Sequence, residues 1–481
     1  MIGVQNVQYV QAVQTVNDLN DLNDSNDLNF FSELPGTMEL RGKKVMVLGL
    51  ARTGVETARF LVHEGAEVTV SDCKSETELK EPLGRVSGLP ARFFLGGENA
   101  AWLDGIEMLV PSPGVPEDNP LLREAGQRGI PILSEMELAY RFTRFPLVAV
   151  TGTNGKSTTT TLIGEMLKAR GLKTFVGGNI GAPLIGFLGD NWDWGVVEVS
   201  SFQLEWVEEF RPKVALLLNL TEDHLDRYPD FVSYGNAKKR IFAAQAGEDI
   251  AVLNRDDPLV WPLRERVRSR VVSFGWEEVR DGVYATAGEM IWRGEGREEK
   301  FSLARVKIQG VHNVENMMAA IAAVKCVGAP AGAIQKVIEG FPGLEHRLEF
   351  VREKNGIRFY NDSKGTNVGA AVKSLASFSV PVVWIAGGVD KGGDYRVLED
   401  EVKRKVKKLV LFGAAKEKIR SALGRLTKTL IVDDLEAAVR EAYRSAGPGD
   451  IVLLSPACSS FDMFQNYAER GKAFKAMVRA L

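Results

Sequence analysis

The residues Gly152–Thr158, GTNGKST, constrain this 481-residue chain more than any other stretch. They follow the apolar run LVAV and precede a helical pattern that starts at Thr158. A glycine turn from strand into helix leaves free backbone N–H groups at the helix N-terminus, where they can wrap a phosphate. In such a loop Lys156 neutralises the β- and γ-phosphates, and the Ser157 hydroxyl ligates Mg²⁺. Gly152, Thr153, Asn154, Gly155 and Thr158 complete the expected phosphate contact. The general phosphate-loop pattern has a small residue where this chain has Val150, so the loop is a variant. The plainer alternative is a glycine turn that only caps a helix.

The same strand–turn–helix alternation runs through most of the chain. KKVMVLGL, ARTGVETARFLVHEG and AEVTVSD read as strand, helix and strand. IEMLVPSPGV and IPILSEMELAYRF read as strand-then-turn segments. WGVVEVS, VALLLNL and IAVLN are further strands, HNVENMMAAIAAVKCVG is a helix, and FPGLEHR is a linker. IRFYNDSKG, PVVWIAGGVD, KKLVLFGA, TLIVDD and DIVLLSPACSS continue the series before a terminal helix. Each strand is expected to be followed by a helix. The predicted class is therefore α/β, with three bodies built on largely parallel sheets. They are a Rossmann-like N-terminal domain over 39–134, a central P-loop domain over 135–344 and a Rossmann-like C-terminal domain over 345–481. Length agrees, at about 150 residues per domain.

Residues 1–38 differ. VQNVQYVQAVQTV and NDLNDLNDSNDLN repeat in triplets, a period that fits neither helix nor strand. The stretch has five acidic residues and no Lys or Arg, leaving 60 basic against 58 acidic residues beyond it. It reads as a disordered tail. A partner-binding arm is one alternative. An upstream start-site choice is another, since Met38 stands just before the first strand.

Several other strings could carry chemistry. GLARTG at Gly49–Gly54, with Asp72 closing the next strand, resembles a dinucleotide fingerprint in which Ala51 replaces the middle glycine. It fits an NAD site, another nucleotide site or a simple helix start. Glu198 in EVSSFQLE is an acid at a strand end, a natural Mg²⁺ partner. NLTEDHLDRY offers His224, and YGNAKKRIF offers Lys238. HNVEN, EHR, NDSKGTN, AGGVDKGGD and SPACSSFDMFQNYAERG place Asn, Arg, Lys and Ser at turns suited to an anionic ligand. Each alone also fits an ordinary turn.

Composition excludes more than it selects. A net charge of −3 gives no electrostatic reason for a nucleic-acid or membrane-surface partner. Three cysteines rule out a disulfide scaffold and suit a reducing, cytoplasmic setting. No apolar run is long enough to span a bilayer, and no signal peptide is expected.

Together the strings resemble the Mur ligase family of ATP-dependent amide-bond-forming enzymes over residues 40–481. GTNGKST marks the family and its folylpolyglutamate synthetase relatives. NDSKGTN and SPACSSFDMFQNYAERG are similar to the members that add D-glutamate to UDP-N-acetylmuramoyl-L-alanine in peptidoglycan assembly. The resemblance implies ATP and Mg²⁺ as cofactors, a monomer, and those two molecules as partners. It assigns GLARTG to UDP, with Leu50, Arg52, Thr53, Asp72, Ser112 and Gly114 around it and Asn179 on the muramyl part. It gives Ser157 and Glu198 one Mg²⁺, and His224 and a carbamylated Lys238 the second. Asn313 and Asn316 would touch adenine. Arg347 and Asp362 would reach the ATP phosphates or ribose, with Lys364 beside them in a catalytic place. Thr366, Lys391, Ser460, Phe461 and Tyr467 map to the D-glutamate pocket, where the Tyr467 ring is expected to pack and its hydroxyl to be incidental. Alternatives are another Mur ligase, a folylpolyglutamate synthetase-like ligase, or a non-catalytic nucleotide-binding relative.

Overall fold

A computed structural model describes residues 38–308 and 310–481. The reading of residues 1–38 as a disordered tail therefore lies, except for Met38, outside the described residues. Each body is organised by one sheet. In the first, four parallel strands run in the spatial order Ala91–Leu95, Glu67–Asp72, Lys44–Leu48, Met108–Pro111. The alternating apolar faces of Val45, Val47, Val68 and Val70 bury against the helix Arg52–His63. Gly54 lets that helix approach the strand end, because a Cβ there would collide with the Gly49 carbonyl.

The second sheet has nine strands. Its parallel part runs Thr174–Gly178, Trp194–Glu198, Leu147–Thr151, Val214–Leu217, Ile250–Asn254, Arg270–Gly275, Gly282–Thr286. The central strand Leu147–Thr151 is buried along its whole length, as a near-continuous apolar run demands. The third sheet has six strands and buries a core on each face, one around Trp384, Leu409 and Leu453, the other around Phe359, Val410 and Phe474.

Two expectations are corrected. The rule that every strand leads into a helix fails at Gly282–Ser302, where Gly282–Thr286, Glu289–Gly294 and Arg297–Ser302 pair antiparallel through tight turns. It fails again at Glu349–Lys354 and Ile357–Asn361, an antiparallel pair. Tight turns leave no room for a crossover helix. IPILSEMELAYRF is also not a strand-then-turn unit. It makes one isolated bridge, Ile132 to Leu109, and then the helix Glu135–Phe142, capped by the Ser134 hydroxyl.

The outer strand of the second sheet, Arg297–Ser302, carries charge at Arg297, Glu298, Glu299 and Lys300. At its end the Gln335 side chain accepts from Ser302 N at 2.9 Å and donates to Ser302 O at 3.0 Å. Among the described residues, no helix is long and apolar enough to cross a membrane.

Candidate active site

The carboxyl ends of the second sheet's strands face those of the third sheet across a cleft of about 1440 Å³ that is open to solvent. Strand ends at such a boundary are where open α/β sheets bind ligands. The loop after Leu147–Thr151 turns on Gly152 (φ 144°) and Gly155 (φ 89°), then enters the helix Lys156–Ala169. A Cβ on Gly155 would collide with Asn316 Oδ1, so only glycine fits between loop and helix Val311–Cys326. Asn219, past the neighbouring strand, fixes the loop from below. Its Oδ1 accepts from Asn154 N at 2.8 Å and its Nδ2 donates to Asn154 O at 3.0 Å.

Lys156 Nζ curls back onto the loop, donating to Gly152 O and Thr153 O, both at 2.8 Å. Burial pulls its ammonium down to about 8, against the opposing pull of Glu198 and Asp223. Glu198 ends its strand fully buried. Burial raises its carboxyl, but the Lys156 and Lys364 cations and the Ser157 and Asn179 hydrogen bonds outweigh that and hold it below the ordinary carboxylate range. Asn179 Nδ2 donates to Glu198 Oε1 at 2.6 Å, whereas Glu198 Oε2 has no hydrogen-bond partner among the described residues.

The third body reaches across. Arg347 donates to Ser157 Oγ at 3.1 Å, and Lys364 Nζ donates to the same oxygen at 3.2 Å. Burial brings Lys364 down to about 8. Its Nζ also donates to the Tyr467 hydroxyl at 3.2 Å, so that hydroxyl is engaged rather than incidental. The polar tip found a partner because the ring, at the start of helix Tyr467–Ala480, lies alongside the Lys364 ammonium, 4.8 Å from it. Asp362 is buried under two hydroxyls, Ser374 at 2.6 Å and Ser455 at 2.8 Å, and burial pushes its carboxyl up to about 6.

His224 lines the cleft with a left-handed backbone (φ 55°). Burial pulls its imidazole down to about 4, against Asp223, so it is neutral near pH 7. Lys238 lies in the helix Phe231–Lys239 with only 2 % of its surface exposed. Burial and Lys156 drive its ammonium well below the usual lysine range, and its Nζ sits 4.7 Å over the Tyr234 ring. Neighbouring Lys239 points outward to Asn236.

The cleft thus gathers Arg52, Gly155, Lys156, Thr158, Asn179, Glu198, His224, Asn313, Asn316, Arg347, Asp362, Lys364, Thr366, Lys391 and Tyr467 among the expected residues. Gly152, Ser157, Lys238, Ser460 and Phe461 are not among its lining: the first four are buried and Phe461 is 73 % exposed. Leu50 is fully buried and offers only backbone, with its N–H donating to Asp72 Oδ2 at 2.7 Å. Ser112 Oγ donates to Gly49 O at 2.7 Å, and Thr53 and Gly114 lie nearer the surface. Asp223 and Asn367 are missing from the sequence reading. Asp223 accepts from Asn367 Nδ2 at 2.9 Å and pairs with Lys391 at 3.6 Å, tying the second body to the third. Its signal, an acid just past a strand, is the one that singles out Glu198.

Three family models match the chain: a MurD-like Mur ligase N-terminal domain over residues 43–134, the Mur ligase middle domain over 150–324 and the Mur ligase glutamate ligase domain over 346–458. The chain is 52 % identical over 448 residues to the UDP-N-acetylmuramoylalanine–D-glutamate ligase of Geotalea uraniireducens, covering 92 % of this chain and 99 % of that one. It belongs to the Mur ligase family. A ligase of the same name from Trichlorobacter lovleyi is 48 % identical over 447 residues, 92 % of this chain and 100 % of that one. The fold also matches the solved pseudomurein peptide ligase type C of Methanothermus fervidus, with a TM-score of 0.58 at 18 % identity over 91 % of this chain and 100 % of that one. Mur ligases are ATP-dependent ligases that form C–N bonds. A Mur ligase needs fixed cations where phosphoryl charge develops, and this cleft supplies Arg347 and Lys364 on one hydroxyl, with Lys156 beside them on the loop carbonyls.

Proposed function

We propose that this chain joins the amine of D-glutamate to the alanyl carboxylate of UDP-N-acetylmuramoyl-L-alanine, with ATP giving ADP and phosphate. The observation that carries the chemistry is the convergence of Arg347 and Lys364 on Ser157 Oγ, beside half-buried Lys156 and the buried carboxylate of Glu198. A substrate carboxylate oxygen attacks the γ-phosphorus and ADP leaves, giving an acyl phosphate. The amine nitrogen then attacks the acyl carbon, sheds a proton, and phosphate departs from the tetrahedral intermediate. Negative charge grows at each stage, and preset cations stabilise it without reorganising.

Mg²⁺ fits the donors here. Glu198 Oε2 is buried without a hydrogen-bond partner among the described residues, and Ser157 offers a neutral oxygen. Among the described residues, no group of three or more His, Cys, Asp or Glu side chains could hold a metal by itself. That suits an ion shared with ATP phosphates. Bound there, Mg²⁺ would neutralise phosphoryl oxygens. His224, neutral at pH 7, would supply an imidazole nitrogen to a second ion. Lys238, whose burial favours the neutral amine, would attack CO₂ and lose a proton to become an anionic carbamate, which would supply oxygen to the same ion. Asn313 and Asn316 would face adenine, with Asp362 toward ribose or phosphate. Leu50, Arg52, Thr53, Asp72, Ser112, Gly114 and Asn179 would hold the UDP substrate. Thr366, Lys391, Tyr467 and, from outside the present cleft lining, Ser460 and Phe461 would hold D-glutamate. The reading includes domain limits at 134 and 344, a cytoplasmic setting and a monomer.

Phosphate release from ATP should require both UDP-N-acetylmuramoyl-L-alanine and D-glutamate, with L-glutamate, D-aspartate and L-lysine inactive. Release with another amino acid alone would overturn the substrate reading. Lys238→Ala should nearly abolish turnover, with partial rescue by acetate, while Lys239→Ala stays active. Full activity in both would remove the carbamate.

A further inference from the structure

The strings EVSSFQLE and NLTEDHLDRY carry two groups with no part in the chemistry above, Glu205 and Arg227. They meet where the first body touches the second. One terminal nitrogen of Arg227 donates to Pro113 O at 3.0 Å. The other donates to Val115 O at 2.8 Å and to Glu205 Oε2 at 2.7 Å. Glu205 Oε1 accepts the Tyr228 hydroxyl at 2.6 Å. The guanidinium lies over the Phe202 ring, 4.1 Å from its centroid, and that ring packs edge-on against the His224 imidazole at 4.9 Å. Arg227 N and Tyr228 N both donate to His224 O at 3.0 Å. These bonds hold the turn in which His224 takes its left-handed conformation. A non-glycine residue keeps such a backbone only where its surroundings fix it.

The arrangement suits arginine specifically. Two carbonyls of the first body and a carboxylate of the second are satisfied by one planar fork, which a lysine ammonium cannot match. Stability alone is a poor account of it. Replacing a buried ion pair by apolar groups is often neutral or favourable. The Arg227 Nε is moreover buried without an acceptor among the described residues, a cost that a purely stabilising contact would shed.

We infer that Arg227 is a positioning residue that locks the first-body loop Ser112–Val115 to the segment carrying His224. A substrate seated on that loop then keeps a fixed separation from the imidazole and the phosphate loop. The functional part of this inference rests on the UDP-substrate reading above. Misplacing reacting groups by about 1 Å can cost about 10²-fold in rate.

Two measurements on the full chain test it. The first is amide hydrogen exchange without ligand. In Arg227→Ala, peptides covering 112–115 and 222–228 should both exchange faster, while 152–158 keeps its protection. Unchanged exchange in either segment overturns the lock, whatever the substrate proves to be. The second is steady-state turnover. Arg227→Lys and Arg227→Ala should raise KM for UDP-N-acetylmuramoyl-L-alanine and lower kcat by about 10–10²-fold, leaving KM for ATP unmoved. Guanidinium ion should restore part of the Ala variant's rate and none of the Lys variant's. If the wild type turns over and both variants keep its constants below their melting temperatures, the positioning role is overturned. If the wild type itself fails to turn over, the substrate reading fails, and hydrogen exchange alone decides the lock. Should Arg227→Ala not fold, Arg227→Lys, which keeps charge and bulk, carries both measurements.

Discussion

The loops Gly49–Gly54 and Gly152–Thr158 are built alike and equipped differently. Both leave a parallel strand, turn on glycines of positive φ and enter a helix whose first amides have no side-chain cap among the described residues. Such helix ends await an anionic ligand. Beneath the first loop lies a carboxylate, Asp72, which accepts from Leu50 N and Lys74 N at 2.7 and 2.9 Å, and its cation, Arg52, is exposed. Beneath the second lie half-buried Lys156 and buried Glu198, opposite in charge. The backbone supplies a place to bind a phosphate. Chemistry needs charge kept out of water, where it acts at low dielectric. On the proposed function, the first loop holds its ligand and the second takes part in the reaction.

The largest effect should come from the second loop. Lys156→Ala should lower kcat by about 10²–10³-fold while the fold survives. More than a tenth of wild-type turnover would break the assignment. In the first loop, Arg52→Ala should raise KM for the UDP substrate by about tenfold, as expected for one charged hydrogen bond, and leave kcat within about twofold. A fall in kcat like that of Lys156→Ala would erase the distinction. A pH profile sharpens it further. Lys156 and Lys364 both stand at about 8, and both must be protonated to meet phosphate. kcat/KM for ATP should fall above pH 8, while affinity for UDP alone stays level. A flat ATP profile to pH 9.5 would count against the buried pair, 9.5 being roughly the point where free-enzyme loss becomes large.

The smallest effect concerns a second buried acid. Glu135 lies near Arg52, without the close cations that hold Glu198 down, and burial pushes it up to about 7. A carboxyl raised in the folded state stabilises at low pH and loses that contribution as pH climbs from about 4.5 through about 7. Glu135→Gln does not titrate. Its melting temperature relative to wild type should therefore improve between pH 5 and pH 8, by an amount worth a few kcal/mol at most. An equal difference at both pH values would show that the carboxyl is not raised.

What the sequence announces is what sits close together along the chain. GTNGKST carries strand, turn and helix within one stretch, and Glu198 ends a recognisable strand. Lys238 and Lys239 are equivalent as letters, and only the packing of helix Phe231–Lys239 turns one inward. The bonds from Arg347 and Lys364 to Ser157 span 190 and 207 residues. No local pattern encodes them. Asp223 shows the opposite failure, since its position past a strand is legible but the histidine beside it draws the attention. The antiparallel strands 282–302 were hidden because the last of them is too charged to read as a strand, and its partner turns are too short to hold a helix.

That charged outer strand has a bearing on how the protein behaves at high concentration. An open sheet edge is a template on which a second chain can add a strand, and aggregation follows. Here an incoming strand would have to bury Arg297, Glu298 and Lys300. At Ser302 it would also find both ladder positions filled by the amide of Gln335, a side chain imitating a neighbouring strand's backbone. At that residue the edge is covered by the protein's own glutamine, carried by the helix Ala331–Gly340, which has no part in the cleft.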